Sequence, residues 1–417
     1  MSISRPDGFY GSMMAAESLI DGVTILHGPS GCRGFAAAMS SRYVPREFTT
    51  KEGEFFFHRS RIPCTYIDRN DYIYGASEKV EMVLDILKSD DTRFAVVLES
   101  PGASLIGDKL QDVISSSQFS DKAVCLEKCL MSETFGYGYD ATLLQIAKKL
   151  TKKRERKSNT VNLVGLPFLS KGCFPLVMEL HKILESMGLE VIADIGVACT
   201  IEQMERSSEA SANVCVCPEY FSRTGEFYEQ EYGIPFVRGP MGAPVGYDAI
   251  RAWIDAIAKA TGCDPSRAIE MIDREEYDVF RILKATIGVS ELSNYRTFSI
   301  LAEPSIALPL MLFITRRLRL FPSSIEFLEH DPVYEEEIWK ALKSVDSEEV
   351  LDTKFGKWFS DVVFGPGSQS EYLLQNGMCS TAVDISVPSR GYLDISPKSI
   401  MGLDGCRRIV ESVLNNR

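Results

Sequence analysis

Short apolar runs rich in β-branched residues alternate with amphipathic stretches along the whole chain, the pattern of parallel sheets joined by helices. In the first block Val23-Thr24-Ile25-Leu26 reads as a buried strand, Ser77–Leu87 as a helix and Phe94–Leu98 as a second strand. Helices over Ile106–Ile114 and Ala141–Leu150 complete that block, and a basic stretch from Lys148 to Lys157 reads as a solvated linker. A second block opens at Val161-Asn162-Leu163-Val164-Gly165. It continues through a helix at Leu176–Met187, a strand at Leu189–Asp194, a helix at Ile201–Ser208 and a strand at Asn213–Cys217. The run Gly233–Val237 and a helix starting near Tyr247 end it. The third block begins with the strand Phe298–Ala302 and the helix Ile306–Leu318, where Pro309 is expected in the first turn. Strands follow at Ser324–Phe327, Val362–Gly365 and Ser380–Ile385. The pattern predicts an α/β fold of three Rossmann-like domains with mainly parallel sheets, spanning residues 1–158, 159–292 and 293–417.

In such sheets ligands gather at the carboxyl ends of strands, which draws attention to His27-Gly28-Pro29-Ser30-Gly31-Cys32-Arg33-Gly34, directly after the first one. Gly28, Pro29 and Gly31 force a tight turn. Gly31 and Gly34 leave room beside the Cys32 sulfur. A thiol held this way suits metal ligation, although free cysteine is also a common small core residue. His27 belongs to the same turn and is expected to orient it through a hydrogen bond.

Composition narrows the chemistry. The chain has 417 residues, 45% hydrophobic and 25% charged, as ordinary globular proteins are. A net charge of −13 argues against a nucleic-acid surface, which needs clustered Lys and Arg. No apolar stretch is long enough for a bilayer, and the N-terminal residues lack an apolar signal core, so a cytoplasmic location is expected. In that setting eleven cysteines imply thiols or metal ligands instead of a disulfide framework. No Walker A motif, GxGxxG turn or nucleophile elbow is found.

The order of several motifs resembles the nitrogenase component 1 family, which includes nitrogenase catalytic subunits, their cofactor-assembly homologues, dark-operative protochlorophyllide reductase and the reductive cyclase of coenzyme F430 biosynthesis. The segments are His27–Cys32, Asp71-Tyr72-Ile73-Tyr74-Gly75-Ala76-Ser77-Glu78-Lys79-Val80 and Leu105-Ile106-Gly107-Asp108. Tyr232–Phe236, Ala302-Glu303-Pro304-Ser305, Phe364-Gly365-Pro366-Gly367-Ser368 and Met401-Gly402-Leu403-Asp404-Gly405 carry the likeness into the later blocks. It implies a subunit of a two-component reductase, fed with low-potential electrons through an iron–sulfur cluster (4Fe-4S or larger) at a subunit interface, with a further metallocofactor open. It also implies a homologous partner subunit, in a homo- or hetero-oligomer, and a separate ATP-dependent iron–sulfur reductase protein. A cluster-bearing chain would be made or handled without oxygen. A non-catalytic scaffold or assembly subunit, or a structural partner without a cluster, are the alternatives.

Family members contribute three cysteines to the cluster. Cys32 matches the central one, but the first would fall near Pro6 to Phe9 and the third where Ser100-Pro101 stands. Cys64, Cys125 and Cys129 are therefore the replacement candidates for metal ligation, and two copies of Cys32 and Cys64 across a two-fold axis would supply four thiolates. His27, Gly28, Gly31 and His58, the last behind Phe55-Phe56-Phe57, are the candidate cofactor-binding residues. Cys215 and Cys217 read as packing on a buried strand. Cys173, Cys199, Cys263, Cys379 and Cys406 receive no chemistry.

Overall fold

The computed structural model describes residues 6–34, 62–89, 92–126, 128–286, 296–385, 387 and 398–415. His58 and the phenylalanines before it lie outside the described residues. Among the described residues eleven strands form three parallel sheets. The first comprises β1 (Val23–His27), β2 (Ala95–Glu99) and β3 (Ala123–Leu126), in the order β1-β2-β3. β4 (Thr160–Val164), β5 (Glu190–Asp194), β6 (Ala212–Cys215) and β7 (Phe236–Val237) form the second, in the order β5-β4-β6-β7. The third contains β8 (Thr297–Ala302), β9 (Phe321–Phe327), β10 (Ser360–Gly365) and β11 (Cys379–Asp384), in the order β11-β10-β8-β9.

β2 lies between two neighbours and every one of its residues is buried, which is why Ala-Val-Val-Leu, ahead of the buried Glu99, reads as a continuous apolar run instead of an alternating one. The helix Ser77–Ser89 covers one face of this sheet with Val80, Leu84 and Leu87, spaced four and three apart along a single stripe. The other face meets the helices Gly8–Glu17 and Phe135–Leu150. Those two helices pack closely because glycines face each other's backbone: Gly11 lies on the Phe135 carbonyl and Gly138 on the Gly8 carbonyl, where no Cβ fits. Ser12 Oγ bridges both helices, donating to the Gly8 and Gly138 carbonyls.

The basic stretch is not merely solvated. Glu209 takes ion pairs from Arg154 at 3.3 Å and Lys157 at 2.7 Å, and Arg156 donates to the carbonyls of Tyr232 and Gly233. These contacts tie the stretch to the second sheet's helices.

Two elements depart from the expected pattern. The helix after Ile106 begins only at Leu110, because Gly107 takes a left-handed φ of +79° and turns Asp108 away from the helical path. The helix expected at Ile306 starts at Pro304, so Pro309 falls in its second turn, and the segment Ile314–Leu318 winds as a π-helix. Proline has no N–H to give the carbonyl four residues back. That carbonyl, on Ser305, is taken instead by the Ala243 N–H at 2.7 Å. The proline thus frees an acceptor that fastens the loop Gly239–Gly242 onto the third sheet's first helix.

The C-terminal helix Gly402–Asn415 returns to the middle of the chain. It contacts the helices Cys173–Ser186, Tyr247–Thr261 and Ser266–Thr286 as well as β11. Gly402 N donates to the Pro244 carbonyl at 2.9 Å, and Leu403 N to Glu179. No helix among the described residues is long and apolar enough to cross a membrane.

Candidate functional site

His27 closes β1 and is wholly buried. Its Nε2 lies 3.0 Å from Asp108 Oδ2 and its Nδ1 3.2 Å from Thr65 Oγ1. Thr65 Oγ1 accepts from the Gly28 N–H at 3.0 Å, so its own hydrogen is available to Nδ1. That assigns a neutral imidazole with its proton on Nε2, donated to Asp108. Burial holds His27 below its ordinary pKa, against the opposing pull of Asp108. Asp108 also accepts from the Ala76 N–H and from Ser77 Oγ at 2.9 Å, which caps the helix that begins there. The turn after β1 is therefore held through its first residue by two other segments.

The Cys32 loop is a single 3-10 turn over Ser30–Arg33. Arg33 fixes it: one nitrogen donates to the Ile62 carbonyl at 2.9 Å, another to Tyr66 Oη at 2.9 Å, and the guanidinium lies 5.3 Å from the Tyr66 ring centre. Between those anchors runs Cys64, whose segment adds to the edge of β1. Leu26 N donates to the Pro63 carbonyl and Thr65 N to the Leu26 carbonyl. Cys32 is half-buried and Cys64 buried. Burial, and then the neighbouring Cys64, push the Cys32 thiol up. Gly31 and Gly34 face open space, whereas Gly28 faces the Ser100 side chain.

Cys129 belongs to this neighbourhood. The bridge between Asp7 and Thr134 brings the start of the N-terminal helix beside the segment after β3. Burial raises the Cys129 thiol most, a hydrogen bond from the Met131 backbone opposes this, and the charges of Asp7, Glu99 and Cys32 add to the rise. Asp7, Glu99 and Cys32 thus lie within electrostatic reach of Cys129, and Cys64 within reach of Cys32.

The structure does not bring Cys125 to them. On β3 its side chain shares a face with Val97 and Ile25, under the helices Ser77–Ser89 and Leu110–Ser116, and its Sγ donates to Gln111 Oε1 at 3.4 Å. Cys64 packs among residues of the opposite face. Ser100, at the position of the expected third family cysteine, is buried at the end of β2. Its N–H donates to the His27 carbonyl and its Oγ accepts from Ala103 N at 3.3 Å. Among the described residues no three or more His, Cys, Asp or Glu side chains converge as a metal site. Cys215 and Cys217 are both buried at 1% exposure, and burial holds both thiols well above the usual range.

A second group of titratable residues escaped the sequence reading. Where the carboxyl ends of β6, β8 and β9 meet the start of the helix Phe135–Leu150 stand Glu219, Glu303 and Glu329. Glu303 is wholly buried; one oxygen accepts from Tyr220 Oη and the other has no hydrogen-bond partner among the described residues. Glu219 accepts from Ser305 N at 2.8 Å and Ser305 Oγ at 2.7 Å, and Glu329 from Gly136 N at 2.7 Å. Burial pushes Glu303 up to about 8 and Glu219 up to about 7. At neutral pH the group therefore retains protons. The only sequence signal was an acid directly after an apolar run and before a proline, in Ala302-Glu303-Pro304.

Three parallel sheets, with a half-buried thiol just beyond the first strand and buried acids where the second and third sheets meet, define an α/β fold. The chain belongs to the nitrogenase component 1 type oxidoreductase family, whose profile matches residues 8–416. It is 25% identical over 272 residues to the B subunit of light-independent protochlorophyllide reductase from Halorhodospira halophila (strain DSM 244 / SL1), covering 62% of this chain and 48% of that one. The corresponding protein of Prochlorococcus marinus (strain MIT 9211) is 26% identical over 307 residues, covering 69% and 53%. The chain spans about half the length of these curated relatives. Its fold is that of the solved structure "Nitrogenase Cp1 at pH 6.5", with a TM-score of 0.78 at 14% identity over 100% of this chain and 93% of the other.

Proposed function

We propose that the chain is one subunit of a nitrogenase-like two-component reductase, receiving low-potential electrons through an iron–sulfur cluster that Cys32 ligates at a subunit interface. The observation that carries this reading is the Arg33 clamp, which pins the Cys32 loop beside Cys64 and within electrostatic reach of Cys129. Clustered thiolates and carboxylates repel one another, and a bound cation relieves that repulsion. Within one chain these side chains do not converge on a single point; Cys32 is the proposed iron ligand, and Cys64 and Cys129 are the thiols electrostatically linked to it. Bound iron and sulfide would supply one-electron transfer. One chain offers too few thiols at one point for a closed site, so a homologous or identical subunit completes it.

The surface beside the loop supports a partner. Tyr66, Tyr72, Ile73, Tyr74 and Leu105 are exposed there, over a small buried cluster of Ile67, Ala76 and Ala103. This patch suits both the second subunit and an ATP-dependent iron–sulfur reductase that docks and leaves. The substrate, an organic molecule or a metallocofactor, would bind between the sheets, where Glu219 and Glu303 hold the protons that a reduction consumes. Ser100 and the residues near Asp7, in place of two family cysteines, favour a second reading: an assembly subunit that holds a cluster or metallocofactor without turnover.

Anaerobic purification with iron and sulfide analysis tests the ligand. Cys32→Ala should lose iron and visible absorption while remaining folded. Cys215→Ala should keep its iron and cost about 1–2 kcal/mol of stability. Full iron content in Cys32→Ala overturns the reading. Reduction that runs without an ATP-hydrolysing partner removes the two-component part of it and leaves the ligand assignment standing.

A further inference from the structure

A cavity of about 290 Å³ opens between the second and third sheets, near the lower bound of roughly 300 Å³ for small-molecule sites. It sits at the carboxyl ends of β10 and β11, with Lys171 reaching in from the loop after β4. Among the described residues three cations line it, Lys171, Lys398 and Arg408, with two carboxylates, Glu371 and Asp384. Lys171 and Asp384 pair at 2.9 Å with both side chains 5% exposed, and Arg408 donates to the Asp384 carbonyl at 3.4 Å. The wall is thus built across both sheets and the C-terminal helix.

The helix Gly367–Gln375 begins at this cavity, with Gly367 in its lining. Its N-cap is Pro366, and no side chain caps its first turn. A helix start of this kind favours an anion through its N–H groups and dipole. Ser370, one turn in, gives the independent observation. It is 1% exposed, lines the cavity, and its Oγ has no hydrogen-bond partner among the described residues. A buried hydroxyl without a partner is costly, and a ligand oxygen would satisfy it.

We propose that this crevice binds the oxyanion end of a small organic molecule, a phosphoryl or carboxylate group, held by the Gly367 helix start, the Ser370 hydroxyl, Lys398 and Arg408. The site draws on no residue of the thiol loops, so it stands apart from the cluster reading.

The test uses the full chain, with inorganic phosphate and succinate as probes and sodium chloride at matched ionic strength as the reference. Saturable heat in calorimetry and a rise in the unfolding midpoint are expected with at least one probe. Phosphate alone identifies a phosphoryl site, succinate alone a carboxylate site, and both together a general oxyanion site. Ser370→Ala should weaken binding about two- to tenfold, the loss of one hydrogen bond. Lys398→Gln, at a half-buried position, should weaken it about tenfold or more while keeping a wild-type circular dichroism spectrum, because its bond is charge-assisted. Cys32→Ala should bind as the wild type does. Absence of stabilisation beyond chloride with either probe overturns the proposal, as does wild-type affinity in both Ser370→Ala and Lys398→Gln.

Discussion

His27 Nε2 lies 3.0 Å from Asp108 Oδ2, and through that one bond the turn carrying Cys32 is joined to the start of the helix Ser77–Ser89. The imidazole is buried and neutral while the carboxylate also accepts from the residues that open that helix, so two side chains 81 positions apart in the chain join the turn to the helix.

His27 makes stability depend on acid. Its folded pKa lies below the unfolded value of 6.5, so on acidification the unfolded chain takes up a proton before the folded one does. Stability from this group is present above the unfolded pKa and is lost as pH falls from there towards the folded value. His27→Gln should cost about 1–3 kcal/mol near pH 8, because Asp108 and Thr65 lose a buried partner. It should also show a shallower decline between about pH 6.5 and pH 5. Unfolding midpoints against pH for both proteins check this; parallel acid limbs would show that His27 is not the titrating group.

Glu303 should act in the opposite direction. Its carboxyl, pushed from 4.5 up to about 8, keeps a proton in the folded state that the unfolded state has already released. The stability it contributes is complete below the unfolded pKa and is lost as pH rises through about 8. Glu303→Gln keeps a neutral group of the same shape, so it should be more stable than the wild type at alkaline pH and nearly equal near pH 5. Midpoints at three or four pH values decide it, and a variant weaker at every pH would contradict a protonated Glu303.

Alkylation of the metal-free protein should label Cys32, Cys129 and Cys263 first, since these are the half-buried thiols among the described cysteines. Burial raises the Cys32 and Cys129 thiols, so labelling of both should quicken above neutral pH. After anaerobic reconstitution with iron and sulfide, Cys32 and Cys129 should become protected while Cys263 should not. Peptide mass spectrometry reads all three sites at once, and equal labelling before and after reconstitution would argue against ligation.

Gly28 and Ser100 offer a size-exchange test. A Cβ at Gly28 would strike the Ser100 side chain, and neither residue can move, as Gly28 N and Ser100 N are both hydrogen-bonded. Gly28→Ala should destabilise by about 1–3 kcal/mol through overpacking. Ser100→Gly alone loses only the bond to Ala103 N, about 1 kcal/mol. The double variant should recover part of the Gly28→Ala loss, and a double-mutant cycle in denaturant measures the coupling. Strict additivity would refute direct contact.

The sheet-by-sheet architecture was legible because each buried strand carries its own apolar run, as Val23–Leu26 and Phe94–Leu98 do. The motif turn was legible too, since glycine and proline declare tight backbone locally. Helix starts were less so: Gly107 delays one helix, and Pro309 in a second turn is tolerated only because Ala243 takes the freed carbonyl. The candidate site was legible in part. Cys125 sits one strand face away from Cys64, which alternation along β3 decides but a register unknown in advance conceals. The link between Asp7 and Cys129 depends on a bridge to Thr134, and the grouping of Glu219, Glu303 and Glu329 on three strand ends converging. Such meetings are made by tertiary packing, which a single sequence does not display.

The return of the helix Gly402–Asn415 to the middle of the chain sets an order of assembly. Its partners, the helices Cys173–Ser186 and Tyr247–Thr261, leave the ribosome well before it does and must wait with their apolar flanks uncovered. A segment synthesised after its partners therefore completes the centre of the molecule. A nascent chain lacking it would be a ready client for chaperones, and deleting this helix would uncover helices of the second block and β11 of the third sheet together.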